Sequence, residues 1–121
     1  MSDVIKIEKV PVENGDGIIA LVSINRPNKL NALNDEVSSG LKEMCAWAEA
    51  DDEVRVIIIT GSPPEVAHDG KRAKPHAFAA GADIGEFIGK NSEDIRTLFK
   101  DNAWEAIWNL SKPTIAMVDG Y

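Results

Sequence analysis

The sequence is poor in cysteine, in aromatic residues and in positive charge, and each shortage removes a class of protein. One cysteine, Cys45, in 121 residues cannot close an internal disulfide. The chain is therefore not a stapled secreted scaffold, and it fits a reducing compartment such as the cytoplasm. Nothing near Cys45 in sequence would activate a thiol, so it reads as a small buried hydrophobe on a helix. Lys and Arg number 13 against 20 Asp and Glu, a net charge of −7. Without an overall phosphate-neutralising field, nonspecific binding to nucleic acid is not expected. No apolar run approaches a membrane span, and Met-Ser-Asp-Val-Ile-Lys at the start lacks the basic and apolar regions of a secretory signal. The two histidines, His68 and His76, lie in a loop with no cysteine or regularly spaced acid around them. Neither a metal site nor a histidine general base is expected there. What remains, 44% hydrophobic and 27% charged, is the composition of a small globular domain with a real core.

Apolar and charged residues alternate over residues 4–10, the period of a strand with one wet face. Pro11 ends that strand, and Asn14-Gly15-Asp16-Gly17 is a turn signal that returns the chain as a hairpin. The return strand, 18–24, is more apolar and so more central. Pro27 breaks it, because proline cannot donate to a ladder. Asn34 or Asp35 can cap the next helix. Val37, Leu41, Met44, Cys45 and Ala48 give that helix one buried face. Gly40 within it costs about 1 kcal/mol against Ala and permits a close helix–strand contact. Asp51 and Asp52 oppose the helix dipole, so fraying or an early exit is expected there.

Residues 54–60, Val-Arg-Val-Ile-Ile-Ile-Thr, read as a strand covered on both faces, typical of a parallel sheet with helical crossovers. Strand, helix, strand in that order implies a right-handed β-α-β crossover. Residues 62–75 are polar, carry Pro and Gly, and have no period; they are a long loop. Ser92 caps a second long helix through Ile95, Leu98, Phe99, Ala103, Ala106, Ile107 and Leu110. On it Trp104 and Trp108 make a neighbouring stripe, suited to core or interface packing. Pro113 starts another buried strand over 114–118.

The remaining stretch, 76–87, packs Ala79, Ala80 and Ala82 around Gly81 and puts Asp83 ahead of an apolar helical turn. Gly81 tolerates a backbone angle that other residues resist, and Asp83 can cap the turn. A tight loop with free N–H groups at a helix start suits a developing negative charge. An ordinary strand–turn–helix corner would use the same small residues for packing alone.

Taken with Ile24-Asn25-Arg26-Pro27-Asn28-Lys29-Leu30-Asn31-Ala32-Leu33, with the strand 54–61, and with Lys112 to Tyr121, the Phe78-Ala79-Ala80-Gly81-Ala82-Asp83 loop makes residues 18–121 resemble the N-terminal half of the enoyl-CoA hydratase/isomerase (crotonase) family. The resemblance implies an α/β fold, the N-terminal part of a ββα spiral core with right-handed β-α-β crossovers. Residues 1–121 would be one portion of that domain, with 62–75 as an insertion. It implies an acyl-CoA thioester as substrate, no cofactor beyond the CoA the substrate carries, no metal, and no nucleic-acid or membrane partner. A homo-oligomeric parent, trimer or hexamer, is expected. By motif position the backbone N–H of Ala82 is an oxyanion donor. Ala80, Asp83 and Ile84 would line the thioester and adenine side of the pocket, and Asn28, Lys29 and Leu30 would contact CoA. Gly85 offers no side chain where many members have a longer one. Lys71, Arg72 and Lys74 would approach the CoA phosphates, or simply solvate the insertion.

The family's second donor and its acid/base carboxylates come after the motif that ends at Tyr121, and Asp83, Glu86 and Asp119 match no catalytic position. The expectation is the N-terminal part of an enzyme that hydrates 2-enoyl-CoA, inactive as this chain alone. The same loop serves isomerases, dehydratases and thioester hydrolases of the family. A non-catalytic, partner-binding half-domain is the alternative of another class.

Overall fold

The alternation at the start of the chain builds the edge of a sheet. The structure, a computed structural model, describes residues 3–64, 74–98 and 102–121. Strand β1 (Ile5–Pro11) pairs antiparallel with β2 (Ile18–Ile24), in register from Ile5↔Ile24 to Pro11↔Ile18. Pro11 is the last ladder residue of an edge strand, a position where its missing N–H costs little. The turn between them closes with Val12 N–H donating to the Gly17 carbonyl.

Helix α1 (Asp35–Ala50) then carries the chain back to β3 (Val54–Gly61), which pairs parallel with β2. The cap is Asn34, whose side-chain oxygen accepts from Val37 N–H at 2.9 Å. The apolar face of α1 is the one its spacing predicts: Val37, Leu41, Met44, Cys45 and Ala48 are buried against Val22, Ile24, Val54 and Ile57. Gly40 faces β1 so closely that a Cβ there would stand 2.5 Å from Ile5 Cγ1. Strand β3 is buried at Val54, Ile57 and Ile59, while Val56 and Ile58 on the other face are half-covered.

Four expectations need correction. Helix α1 does not exit early: it runs to Ala50, with Asp51 N–H bonded to the Trp47 carbonyl. Its C-terminus is closed from far along the chain. Lys112 Nζ donates to the Ala48 carbonyl at 2.5 Å and to the Asp51 carbonyl at 2.6 Å, and an ammonium offsets the negative end of the dipole. The expected second long helix is two short ones, α2 (Ser92–Leu98) and α3 (Ala103–Trp108). Asn102 has an extended backbone and its side chain accepts from Glu105 N–H, so it starts a new helix rather than continuing an old one. The cap of α2 is Asn91, not Ser92: its side chain accepts from Asp94 N–H and Asp94 answers to Asn91 N–H. Finally β4 (Thr114–Ala116), parallel to β3, is exposed along its whole length. It is the outer strand of the order β1-β2-β3-β4, so a sequence suited to burial lies open on one edge. Trp104 and Trp108 likewise lie on the surface, half and almost fully exposed.

The expected insertion, with His68, Lys71 and Arg72, lies mostly outside the described residues; its two ends, 62–64 and 74–75, are within them. Among the described residues no helix is long and apolar enough to cross a membrane.

Replacing Lys112 with Met keeps the aliphatic stem and removes the ammonium from two helix-end carbonyls. Hydrogen bonds to charged groups are worth about 1.5–3 kcal/mol each, so K112M is expected to lower stability by about 2 kcal/mol or more. The urea midpoint checks it, with helix content near Ala48 followed by amide exchange.

Candidate active site

Two loops leave the same end of the sheet and lie side by side. The first follows β2. Pro27–Lys29 forms a 3-10 turn, after which Leu30 and Asn31 both take left-handed angles, φ 52° and 55°. Asn accepts that region readily and Leu does not. The strain is held by bonds on each side: Leu30 N–H to the Pro27 carbonyl, Asn31 N–H to the Arg26 carbonyl, and the Leu30 carbonyl taking Ala80 N–H. Asn31 is buried, with 1% of its surface exposed. Its Oδ1 accepts from Arg26 N–H at 2.8 Å, and its Nδ2 donates to the carbonyls of Ala77 at 2.7 Å and Ser62 at 3.2 Å.

The second loop is the Ala-rich stretch. Its start passes so near Gly61 that a Cβ on Gly61 would sit 2.1 Å from the Ala77 carbonyl oxygen. Phe78 and Ala79 N–H both bond the Tyr121 carbonyl. Gly81 takes φ 114°, the angle that requires glycine at this corner. Ala82 then bridges Leu33 in parallel fashion: Leu33 N–H donates to the Gly81 carbonyl at 2.8 Å and Asp83 N–H to the Leu33 carbonyl at 2.8 Å. The N–H of Ala82 has no hydrogen-bond partner among the described residues. A trans peptide points its N–H opposite its C=O. With the Gly81 oxygen turned to Leu33, the Ala82 N–H is turned away from it.

Asp83 caps a four-residue 3-10 turn, Ile84–Phe87, through Gly85 N–H at 3.0 Å, and pairs with Arg26 Nη2 at 3.1 Å. The Gly85 N–H first, then the Arg26 guanidinium, hold its carboxyl below the ordinary aspartate range. Glu86 on the same turn accepts from Asp35 N–H at 2.6 Å and so ties the turn to the start of α1. Beside these loops is a cavity of about 110 Å³, with Leu33, Val37, Leu41, Ala82, Phe87 and Trp104 in its walls and Asn34 and Glu86 among its polar groups.

The residues singled out from sequence thus meet. Leu30, at the end of the turn that holds Asn28 and Lys29, takes Ala80 N–H on its carbonyl; Ala80, Ala82 and Ile84 are exposed and Asp83 is partly so. Lys74, at the end of the insertion, donates from Nζ to the Asn28 carbonyl at 2.5 Å. Sequence reasoning missed Asn31 and Arg26 as the groups joining the loops; the only signal was a polar Asn within an otherwise apolar Leu-Asn-Ala-Leu run. His76 Nδ1 lies 3.0 Å from the Asp119 carbonyl, and no trio of His, Cys, Asp and Glu that could hold a metal occurs among the described residues. Cys45 is buried in the core, which with Glu49 pushes its thiol up to about 11 and leaves it inert.

A family model described as enoyl-CoA hydratase/isomerase matches residues 14–121. The chain is 32% identical over 112 residues to carboxymethylproline synthase of Pectobacterium carotovorum, covering 90% of this chain and 40% of that protein. It is 33% identical over 108 residues to short-chain-enoyl-CoA hydratase of Clostridium acetobutylicum, covering 88% and 37%. Among solved structures, an enoyl-CoA hydratase/carnithine racemase from Magnetospirillum magneticum superposes with TM-score 0.71 at 31% identity, over 98% of this chain and 39% of that one. The fold and the site loop therefore define a crotonase-type α/β protein: the chain belongs to the enoyl-CoA hydratase/isomerase family. It spans about two fifths of the length of the relatives it matches.

Removing the Asn31 amide leaves three main-chain groups without a partner, each at a cost of about 1–3 kcal/mol. Asn31→Ala is expected to lose about 3 kcal/mol or more in urea unfolding. Asp83 gives a pH signature of known sign. Its pKa is depressed in the folded state, so its contribution is present above the unfolded value of about 3.9 and fades as pH falls through the folded value. Asp83→Asn is therefore expected to be less stable than the wild type at pH 7, with the gap closing on acidification below about pH 4. Melts of both proteins across that range check it.

Proposed function

We propose that this chain is the oxyanion-donating, CoA-binding part of an acyl-CoA-processing enzyme of the enoyl-CoA hydratase type. The observation that carries the reading is the Ala82 N–H, left without a partner among the described residues on an exposed corner beside a cavity, and turned away from Leu33 by the bond that its own peptide carbonyl makes there. In hydration of a 2-enoyl-CoA, water adds at the β carbon and the electron pair moves through the conjugated system to the thioester oxygen. The enolate then takes a proton at the α carbon. A backbone donor at that oxygen stabilises the charge as it develops, by about 3 kcal/mol for one well-placed N–H. Ala80, Asp83 and Ile84 would flank the thioester and adenine, and Asn28, Lys29 and Leu30 the rest of CoA.

Lys29 on the Asn28 loop and Lys74, whose Nζ donates to the Asn28 carbonyl, supply cations for the phosphates on an otherwise acidic chain. The second N–H donor and the carboxylates that activate water and deliver the proton are assigned to the remainder of the parent enzyme, a cytoplasmic trimer or hexamer. A proton cannot be moved without such positioned groups, so the 121-residue chain binds the thioester without turning it over.

A second reading, a partner-binding half-domain, is favoured by one observation. Ile115, Met117, Val118 and Tyr121 are all about half exposed or more, next to the open edge of β4. It predicts a stable assembly with no affinity for CoA thioesters.

Equilibrium titration with crotonyl-CoA separates the two. Saturable binding without hydration is expected, and no binding at millimolar ligand would end the enzyme reading. The double variant Lys29→Ala/Lys74→Ala is expected to bind about 3–10-fold more weakly, the worth of two exposed charge contacts, with a shallower dependence on salt. Equal affinity and slope would remove these lysines from the phosphate contact.

A further inference from the structure

The four-residue 3-10 turn after Asp83 is too short to supply much of a dipole to the Ala82 N–H. The hydrogen bonds behind that N–H lead to another source. Arg26 Nη1 donates to the Ala32 carbonyl at 2.7 Å. That carbonyl belongs to the same peptide group as the Leu33 N–H, which donates to the Gly81 carbonyl at 2.8 Å. The Gly81 carbonyl in turn belongs to the same peptide group as the Ala82 N–H. Among the described residues no peptide bond is cis, so in each unit the accepting oxygen and the donating N–H point in opposite directions. The result is a continuous line from a guanidinium, through two peptide groups, to one outward-facing donor.

We infer that Arg26 is a positioning residue for the Ala82 N–H, aiming and polarising it through the Ala32–Leu33 and Gly81–Ala82 peptide groups. The inference rests on the proposed oxyanion role of Ala82 and adds where its strength comes from. A cation on the first carbonyl draws electron density along the line, and each amide in a hydrogen-bonded chain becomes a better donor by about 10–30% per bond. Direction follows from the fork of the side chain. Nη2 is fixed on Asp83 Oδ2 at 3.1 Å, which leaves Nη1 on Ala32. Arg26 is itself only 14% exposed in its side chain, so its charge is weakly screened. Its own N–H is held by Asn31 Oδ1. A lysine cannot reproduce this, because one ammonium does not span both acceptors in a rigid fork.

The test reads the amide protons in ¹H–¹⁵N spectra of the unliganded protein, assigned for the wild type, Arg26→Gln and Arg26→Lys. Expected in R26Q is an upfield shift of the Leu33 proton and a smaller one of the Ala82 proton. The Ala80 proton, bonded to Leu30 outside the line, is expected to stay in place. Expected in R26K is partial recovery. An Ala82 proton that stays fixed while Leu33 moves overturns the inference. So does an Ala80 shift as large as that of Ala82, which would signify general loosening. If R26Q does not fold, R26K against wild type decides alone: an unmoved Ala82 proton sinks the relay. Crotonyl-CoA is then added to the wild type. An Ala82 proton that ignores it counts against the proposed function, while the relay stands or falls on the spectra without ligand.

Discussion

The side-chain amide of Asn31 gives its oxygen to Arg26 N–H and its nitrogen to the carbonyls of Ser62 and Ala77, so the exits of β2 and β3 and the approach to the Ala-rich loop share one residue. A buried amide with its acceptor and both donors engaged admits one arrangement of its neighbours, since any slip leaves a polar group unpaired in a dry place. Leu30 keeps its unfavourable left-handed angle because Asn31 anchors the chain next to it. Gly61 is needed because the Asn31 amide and the Ala77 and Phe78 carbonyls all converge on its Cα. From this fixed point the spacing of Leu33 against Gly81 and Asp83 follows, and with it the direction of the Ala82 N–H.

Much of this was legible from residues whose causes are local. The hairpin, the apolar face of α1, the burial of Cys45, the cap at Asp83 and the glycine-only angle at Gly81 each depend on a few neighbouring positions, and each came out as the spacing predicts. What sequence reading got wrong has distant causes. The end of α1 looked weak because two aspartates follow it; Lys112, more than sixty positions later, closes it. Periodicity ran on through 92–110 because the apolar spacing continues, yet the Asn102 side chain offers the backbone a competing bond and a fresh helix begins. Strand β4 was read as buried because Thr-Ile-Ala-Met-Val belongs inside a sheet; the described chain puts nothing on its outer side.

The candidate site shows the same division. The small residues around Gly81 made the tight corner and the cap at Asp83 legible, while the roles given to Ala82 and to Asn28, Lys29 and Leu30 came from resemblance, not from geometry. Asn31 and Arg26 were not legible as joining groups, since nothing local distinguishes a buried amide from an exposed one, or a guanidinium that grips two loops from one that meets solvent.

A site built this way is made almost entirely of main chain. The Ala82 N–H, the carbonyl that sets its direction and the strand-like bridge to Leu33 carry no side-chain identity, so in the proposed role they would meet a thioester oxygen and be indifferent to what happens two carbons away. Selectivity among reactions has to come from side chains that meet the rest of the acyl group, which a single N–H donor does not supply. The chain is about as similar to a hydratase as to a carboxymethylproline synthase, so similarity over the matched region does not by itself choose a reaction. In the proposed reading Arg26 and Asn31 serve the donor, and the choice of reaction lies with groups that would face the acyl chain from elsewhere.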